Sequence, residues 1–213
     1  MISKIKLLFK SIVDRVVFYQ KSKRATIIGD NVYFHRKSRI SLIEGASRSN
    51  ITIDSNSRLF GTLSCCSKGT IKIGRYSQVG QNSCIRSVNE VVIGSYTAIA
   101  DNVVVCDNNN HPVNPLDRHI MRQTPSGSKE RSWTNSDNAP IIIGDDCWIG
   151  QYSRICKGVT IGNGSVVAAN SVVTKSVPEN CIVAGNPAKI VKTDIDVIVK
   201  RFFHHRDGEN NKK

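Results

Sequence analysis

From Ile143 onward every sixth residue is a β-branched aliphatic: Ile143, Ile149, Ile155, Ile161, Val167 and Val173. Four residues after each stands a small or β-branched residue: Cys147, Ser153, Val159, Ser165, Ser171 and Val177. Neither common period accounts for this, since a half-buried strand alternates at two and an amphipathic helix returns near 3.6. A period of six with one large and one small inward residue fits short strands joined by tight corners. Three such sides close one triangular coil of about eighteen residues, and stacked coils pair as parallel strands about 4.8 Å apart. Corners favour residues that tolerate left-handed backbone angles. Asp145, Asp146, Asn163, Gly164 and Asn170 lie between the large and small positions, where corners are expected.

Weaker tracts carry the repeat upstream. Ile73-Gly74-Arg75-Tyr76-Ser77 leads to Val79 and Ile85, and Ile93-Gly94-Ser95-Tyr96-Thr97 leads to Ile99 and Val105. Ile53 to Ser57 and Ile28 to Val32 read as earlier, degenerate turns, with Ile28 at the inward position. Two-residue slips, such as that from Ile85 to Ile93, are expected to be absorbed by small bulges at corners. Before the repeat, Ile2, Ile5, Leu8, Phe9, Ile12 and Val16 share one face of a helix, with Lys4, Lys6, Lys10 and Arg15 off it. That helix either packs on the repeat or lies on an anionic membrane surface. The expected organisation is an amphipathic helix over 1–24, an all-β parallel helix over 25–187, and a short C-terminal helix and tail over 188–213.

The chain has 213 residues, enough to bury a core without staples, and aromatics make up only 6% of it. A formal charge of +13 points to an anionic partner. Zinc-finger spacing, a basic zipper and RNA-recognition signatures are all missing, so no nucleic-acid partner is expected. The seven cysteines are odd in number and form no C-x-x-C pair. They read as reduced thiols filling small apolar spaces in a reducing, cytoplasmic compartment. No run reaches the roughly 20 apolar residues of a membrane span, and no secretory cleavage site follows the first helix.

The repeat stops at Val105 and resumes at Ile143. One regular step is six residues, so about 32 are inserted, and loops of that length in compact domains are usually functional or disordered. The loop, taken as 106–139, opens Cys106-Asp107-Asn108-Asn109-Asn110-His111-Pro112. Histidine accepts a proton near neutral pH without special tuning, which makes His111 a candidate general base. A loop histidine bonded to backbone is the plainer alternative. The Ser- and Asn-rich second half, 123–138, is expected to be more mobile than the first.

Three motifs are specific: Asn110-His111-Pro112 at the start of the insertion, Ile143 to Gly150 where the repeat resumes, and Val172-Val173-Thr174-Lys175-Ser176-Val177-Pro178 followed by Ala184-Gly185-Asn186-Pro187-Ala188-Lys189. With them the chain resembles the hexapeptide-repeat acyltransferase superfamily of left-handed β-helices, over roughly 70–192. It is similar to sugar, capsule and lipopolysaccharide O-acetyltransferases. The resemblance implies a homotrimer with active sites between subunits, acetyl-CoA along the C-terminal coils, and His111 as the base for direct attack of a hydroxyl on the thioester. It places the oxyanion donor at the backbone N–H of Gln151. It lines the cofactor channel with Trp148 and Ala169, and sets Thr174, Lys175, Lys189 and Lys192 near the nucleotide and its phosphates.

Acceptor residues match less well; Asn82 and Asp107 are the candidates. The expected acceptor is a saccharide, as cell-surface polysaccharide or its precursor, and no metal is expected. A zinc enzyme needs converging histidines, but only His111 and His119 are close in sequence among His35, His111, His119, His204 and His205. A covalent mechanism through Cys106 and a non-catalytic glycan-binding scaffold are the remaining rivals.

Overall fold

A computed structural model describes residues 2–197. Its core is a parallel β-helix whose coils contribute to three sheets in turn, six, eight and six strands deep. The inward aliphatics stack in three columns. On the first face Ile27, Ile53, Ile73, Ile93, Ile143 and Ile161 follow one another in register. On the second face the column runs Phe34, Leu59, Val79, Ile99, Ile149, Val167 and Val183. On the third it runs Ile40, Leu63, Ile85, Val105, Ile155 and Val173. Nearly all of these side chains are fully buried, each contributing about 1.5–3 kcal/mol of apolar burial.

The small positions do more than fill space. Ser77 Oγ donates to the Gly94 carbonyl of the next coil (2.6 Å) and accepts from Thr97 N (3.0 Å). Thr97 Oγ1 repeats the pattern with Gly144 O (2.7 Å) and Cys147 N (3.0 Å). A buried hydroxyl at the corner thus satisfies one backbone acceptor and one donor that the strand ladder leaves over. Left-handed angles fall at the corners, at Asn56, Tyr76, Tyr96, Asp146 and Asn170 among others, with φ between 54° and 60°.

Two expectations about register change. The slips are not bulges: the strands Cys84–Ser87 and Glu90–Ile93 are four residues long, against two for most later strands. Early coils are therefore wider, Ile73 to Ile93 spanning twenty positions and Ile143 to Ile161 eighteen. Ile28 is not an inward residue. It pairs with Asp54 and is 54% exposed, while Ile27 faces Ile53. Strand alternation after Ile27 turns Ile28 out, and Gly29, at φ +91°, takes up the extra residue that follows.

The first helix, α1 (Ile2–Ser22), meets the first coil through its last turns. Val17 packs on the core, the Phe18 and Phe34 rings lie 5.9 Å apart, and Lys21 Nζ donates to the Ser38 carbonyl. At the other end, residues 188–192 form a strand and not the expected helix. Ala188–Lys192 runs antiparallel to Ile182–Gly185 after a turn at Asn186-Pro187 and covers the open edge of the second sheet. A single 3-10 turn follows at Ile195–Val197, and residues 198–213, which hold the remainder of that expectation, lie outside the described residues.

Candidate active site

The inserted loop leaves the third face after Val104–Cys106 and rejoins the first face at Ile141–Ile143, so it projects from the corner between them. Asp107 anchors its root. The carboxylate is fully buried and accepts from Ser87 Oγ (2.8 Å), Val88 N (3.0 Å), Asn89 N (2.8 Å) and Asn108 Nδ2 (3.0 Å). Its own carbonyl accepts from Ala139 N (3.0 Å), which ties the two ends of the loop together. Both oxygens are engaged inside the protein. This assigns Asp107 to holding the loop and corrects its expected role as an acceptor ligand.

Beyond the root, the Asn114 side chain caps a second helix, α2 (Pro115–Gln123), by accepting from Leu116 N (2.9 Å), with Pro115 at the first helical position. The helix buries Met121, whose sulfur lies 3.4 Å from His111 Nδ1. His111 is otherwise exposed. A thioether is only a weak acceptor; in the tautomer with the proton on Nδ1, the Nε2 lone pair is left to accept a proton. Beside it a cleft of about 330 Å³ is lined by Pro112, Asp117, Ile120, Met121, Glu130 and Asn135.

The second half of the loop has local structure of its own. It forms two short 3-10 turns, Lys129–Arg131 and Trp133–Asn135. Arg131 Nη1 donates to the carbonyls of Met121 (3.0 Å) and Thr124 (2.8 Å). Ser132 Oγ and Trp133 N both bond the Glu44 carboxylate of the first coil, and Arg86 sits 5.5 Å over the Trp133 ring. The loop therefore folds back along its corner toward the N-terminal coils.

The residues expected to hold the cofactor fall in two groups. Trp148 points outward from the second face and is 58% exposed, in register with Ala98 and Val166. Gln151 and Ala169 stack at the corner between the second and third faces, where Asn170 N bonds the Gln151 carbonyl (2.8 Å). One coil pair earlier, Gln81 N–H is taken by the Asp101 carboxylate (2.6 Å). At Gln151 the corresponding side chain is Ala169, which has no acceptor. Gly150 permits this close approach, since a Cβ there would lie 2.6 Å from Ala169 N. Lys189 and Lys192 are exposed on the antiparallel strand beside the second face. Thr174 and Lys175 follow Val172–Val173 and lie, like the loop bearing His111, past the third face. Asn82 adopts φ 58° at the same corner as Gln151, its Nδ2 bonding Asn102 Oδ1 (3.3 Å), in a ladder of corner asparagines. Within one chain Asn82 and the His111 loop occupy different corners.

The rival chemistries lose support. Cys106 is buried, its thiol is pushed up by that burial, and its Sγ donates to the Asn108 carbonyl (3.3 Å). A nucleophilic cysteine needs the opposite environment. His35 belongs to the first coil, 5.6 Å from the Phe60 ring, and not to the loop that holds His111 and His119. Sequence reading passed over Asp117, Glu130 and Asn135. Only their shared cleft unites them, and no local motif marks it.

Residues 140–175 match the family profile of the bacterial transferase hexapeptide (six repeats). The chain is 32% identical to the hexapeptide-repeat-containing acetyltransferase VCA0836 of Vibrio cholerae, with a TM-score of 0.53 over 65% of this chain and 71% of that one. It belongs to the hexapeptide-repeat transferase family. This hexapeptide-repeat protein is also 35% identical over 125 residues to WbbJ of Escherichia coli (strain K12), named for O-acetyl transfer in lipopolysaccharide biosynthesis; the match covers 59% of this chain and 61% of WbbJ. The polysialic acid O-acetyltransferase OatWY superposes with a TM-score of 0.60 at 27% identity, covering 83% of this chain and 80% of OatWY. The first curated relatives are matched over 60–61% of their length.

Proposed function

We propose that this protein transfers an acetyl group from acetyl-CoA to a hydroxyl of a saccharide, with His111 as general base. The acceptor hydroxyl attacks the thioester carbonyl carbon while its proton passes to His111 Nε2. The oxyanion is met by the Gln151 N–H, the C–S bond breaks, and the imidazolium returns the proton to the departing CoA thiolate. No acyl-enzyme forms, in keeping with the buried, proton-retaining Cys106. Trp148, Ala169, Thr174, Lys175, Lys189 and Lys192 hold the CoA.

The observation that carries this reading is the inserted loop. It is rooted by a buried carboxylate and carries the exposed His111 beside Pro112 and Met121, both of which line a cleft of mixed polar and apolar character. A volume of about 330 Å³ suits a mono- or disaccharide, and Asp117, Glu130 and Asn135 offer acceptors for its hydroxyls. The names of WbbJ and OatWY support a cell-surface polysaccharide or its precursor as acceptor. Gln151 and Trp148 lie on or beside the second face while His111, Thr174 and Lys175 lie past the third, which supports a homotrimer with each site shared between copies. Seven free thiols suit a cytoplasmic setting.

Calorimetry with CoA, together with thiol release from acetyl-CoA over a panel of saccharides, tests the reading. CoA binding and turnover with a subset of saccharides are expected. Absence of CoA binding would overturn it in favour of a glycan-binding scaffold.

A further inference from the structure

Helix α1 carries an apolar stripe that the β-helix does not cover. Val17 packs against the core, and Val13, one turn earlier on the same side, is half-buried. One step around the helix, Ile12, Val16 and Tyr19 are 52%, 50% and 61% exposed. In sequence the same line runs back through Phe9, Ile5 and Ile2 at alternating steps of four and three residues. That spacing keeps residues along one side of a helix.

By shape, two occupants fit such a stripe: the same helix of a second copy, or a lipid surface. Charge decides between them. Within α1, Lys4, Lys6, Lys10, Arg15 and Lys21 stand against Asp14 alone, and Lys23 and Arg24 follow directly. A seam between copies draws its specificity from opposite charges flanking the apolar line. Here Arg15 would flank it, with its counterpart equally cationic. Lys21 already feels the crowding, its ammonium disfavoured first by burial and then by Arg39 and Arg24. An anionic lipid surface supplies the missing negative charge, each basic residue near it gaining about 1 kcal/mol. Lys23 lies 4.1 Å over the Tyr19 ring, a pairing of amphipathic side chains suited to the headgroup zone. No helix among the described residues is long and apolar enough to cross a membrane.

We propose that α1 is an interfacial anchor that lays Ile12, Val16 and Tyr19 into the headgroup region of an anionic membrane. This goes beyond the acetyl-transfer reading and stands or falls separately from it. The test is co-sedimentation of the full chain with phosphatidylcholine vesicles, with and without phosphatidylglycerol, at low and high salt. Wild type, Ile12→Glu/Val16→Glu and Lys4→Gln/Lys6→Gln/Lys10→Gln are compared, with molecular mass measured by light scattering for each.

Wild type should bind only vesicles containing phosphatidylglycerol and release them at high salt. The apolar double variant should bind about tenfold more weakly or worse, and the charge variant about a hundredfold, with mass and circular dichroism unchanged in both. Equal indifference of wild type to both vesicle types would overturn the proposal. So would a fall in molecular mass with Ile12→Glu/Val16→Glu, because it assigns the stripe to contact between copies.

Discussion

Replacing Asp107 by alanine separates a structural carboxylate from a ligand for the acceptor. The side chain is fully buried and receives four donors at 2.8–3.0 Å from Ser87, Val88, Asn89 and Asn108. Bonds to a charged group are worth about 1.5–3 kcal/mol each, a gross loss of about 6–12 kcal/mol. Keeping a carboxylate out of water offsets several kcal/mol of that. A net loss of about 3–5 kcal/mol remains, since alanine leaves the donors unsatisfied in a dry site. For a chain of this size each kcal/mol moves Tm by about 2–4 °C, so Tm should fall by about 6–20 °C. Turnover should fall as well, because the same bonds hold the start of the segment that presents His111. Thermal unfolding followed by circular dichroism gives the first quantity and thiol release the second. Asp107→Asn, which keeps one acceptor oxygen, should lie between. A Tm within about 2 °C of wild type, with only the acceptor KM raised, would refute the assignment and return Asp107 to the substrate.

Ala169→Asp should place a carboxylate against the Gln151 N–H, as Asp101 does for Gln81, and lower kcat about a hundredfold with the fold intact. Steady-state kinetics beside a melting curve checks it. Cys106→Ser should keep turnover within about threefold at low temperature, since its buried thiol is no nucleophile; a loss of about a thousandfold would revive the covalent mechanism. The thiols of Cys65 and Cys66 are pushed up to about 12, from an ordinary 9.0, by burial and, for Cys66, next by Glu44. Their folded-state values are raised, so this contribution to stability is full below pH 9 and is lost as pH rises toward 12. Urea midpoints across that range should fall, and fall less in Cys65→Ala/Cys66→Ala.

The core was legible because its signal is local and repeated. Ile143 to Val173 and Cys147 to Val177 could be read as inward from spacing alone, and all twelve are buried. Legibility failed where one residue changes the phase. Ile28 has the right neighbours, Gly29 and Asp30, yet it follows inward Ile27 on one strand and so faces out, the extra residue being taken up at Gly29 with its positive φ. Residues 188–192 form a strand in place of the expected helix because the open edge of the second sheet offers their backbone a partner, which no local signal marks. In the site, the loop and His111 were visible as an interruption of the repeat. The anchors were not, because Glu44 meets Ser132 across 88 residues and Asp107 meets Ser87 across 20. Such pairs exist only once the coils stack.

The most direct measurement is turnover of acetyl-CoA by wild type and His111→Ala, with CoA binding followed in parallel. If His111 Nε2 takes the acceptor proton, turnover should drop about a hundredfold or more while CoA affinity stays the same. Turnover unchanged by the substitution would contradict the mechanism and move the search for a base elsewhere in the cleft formed by Asp117 and Glu130.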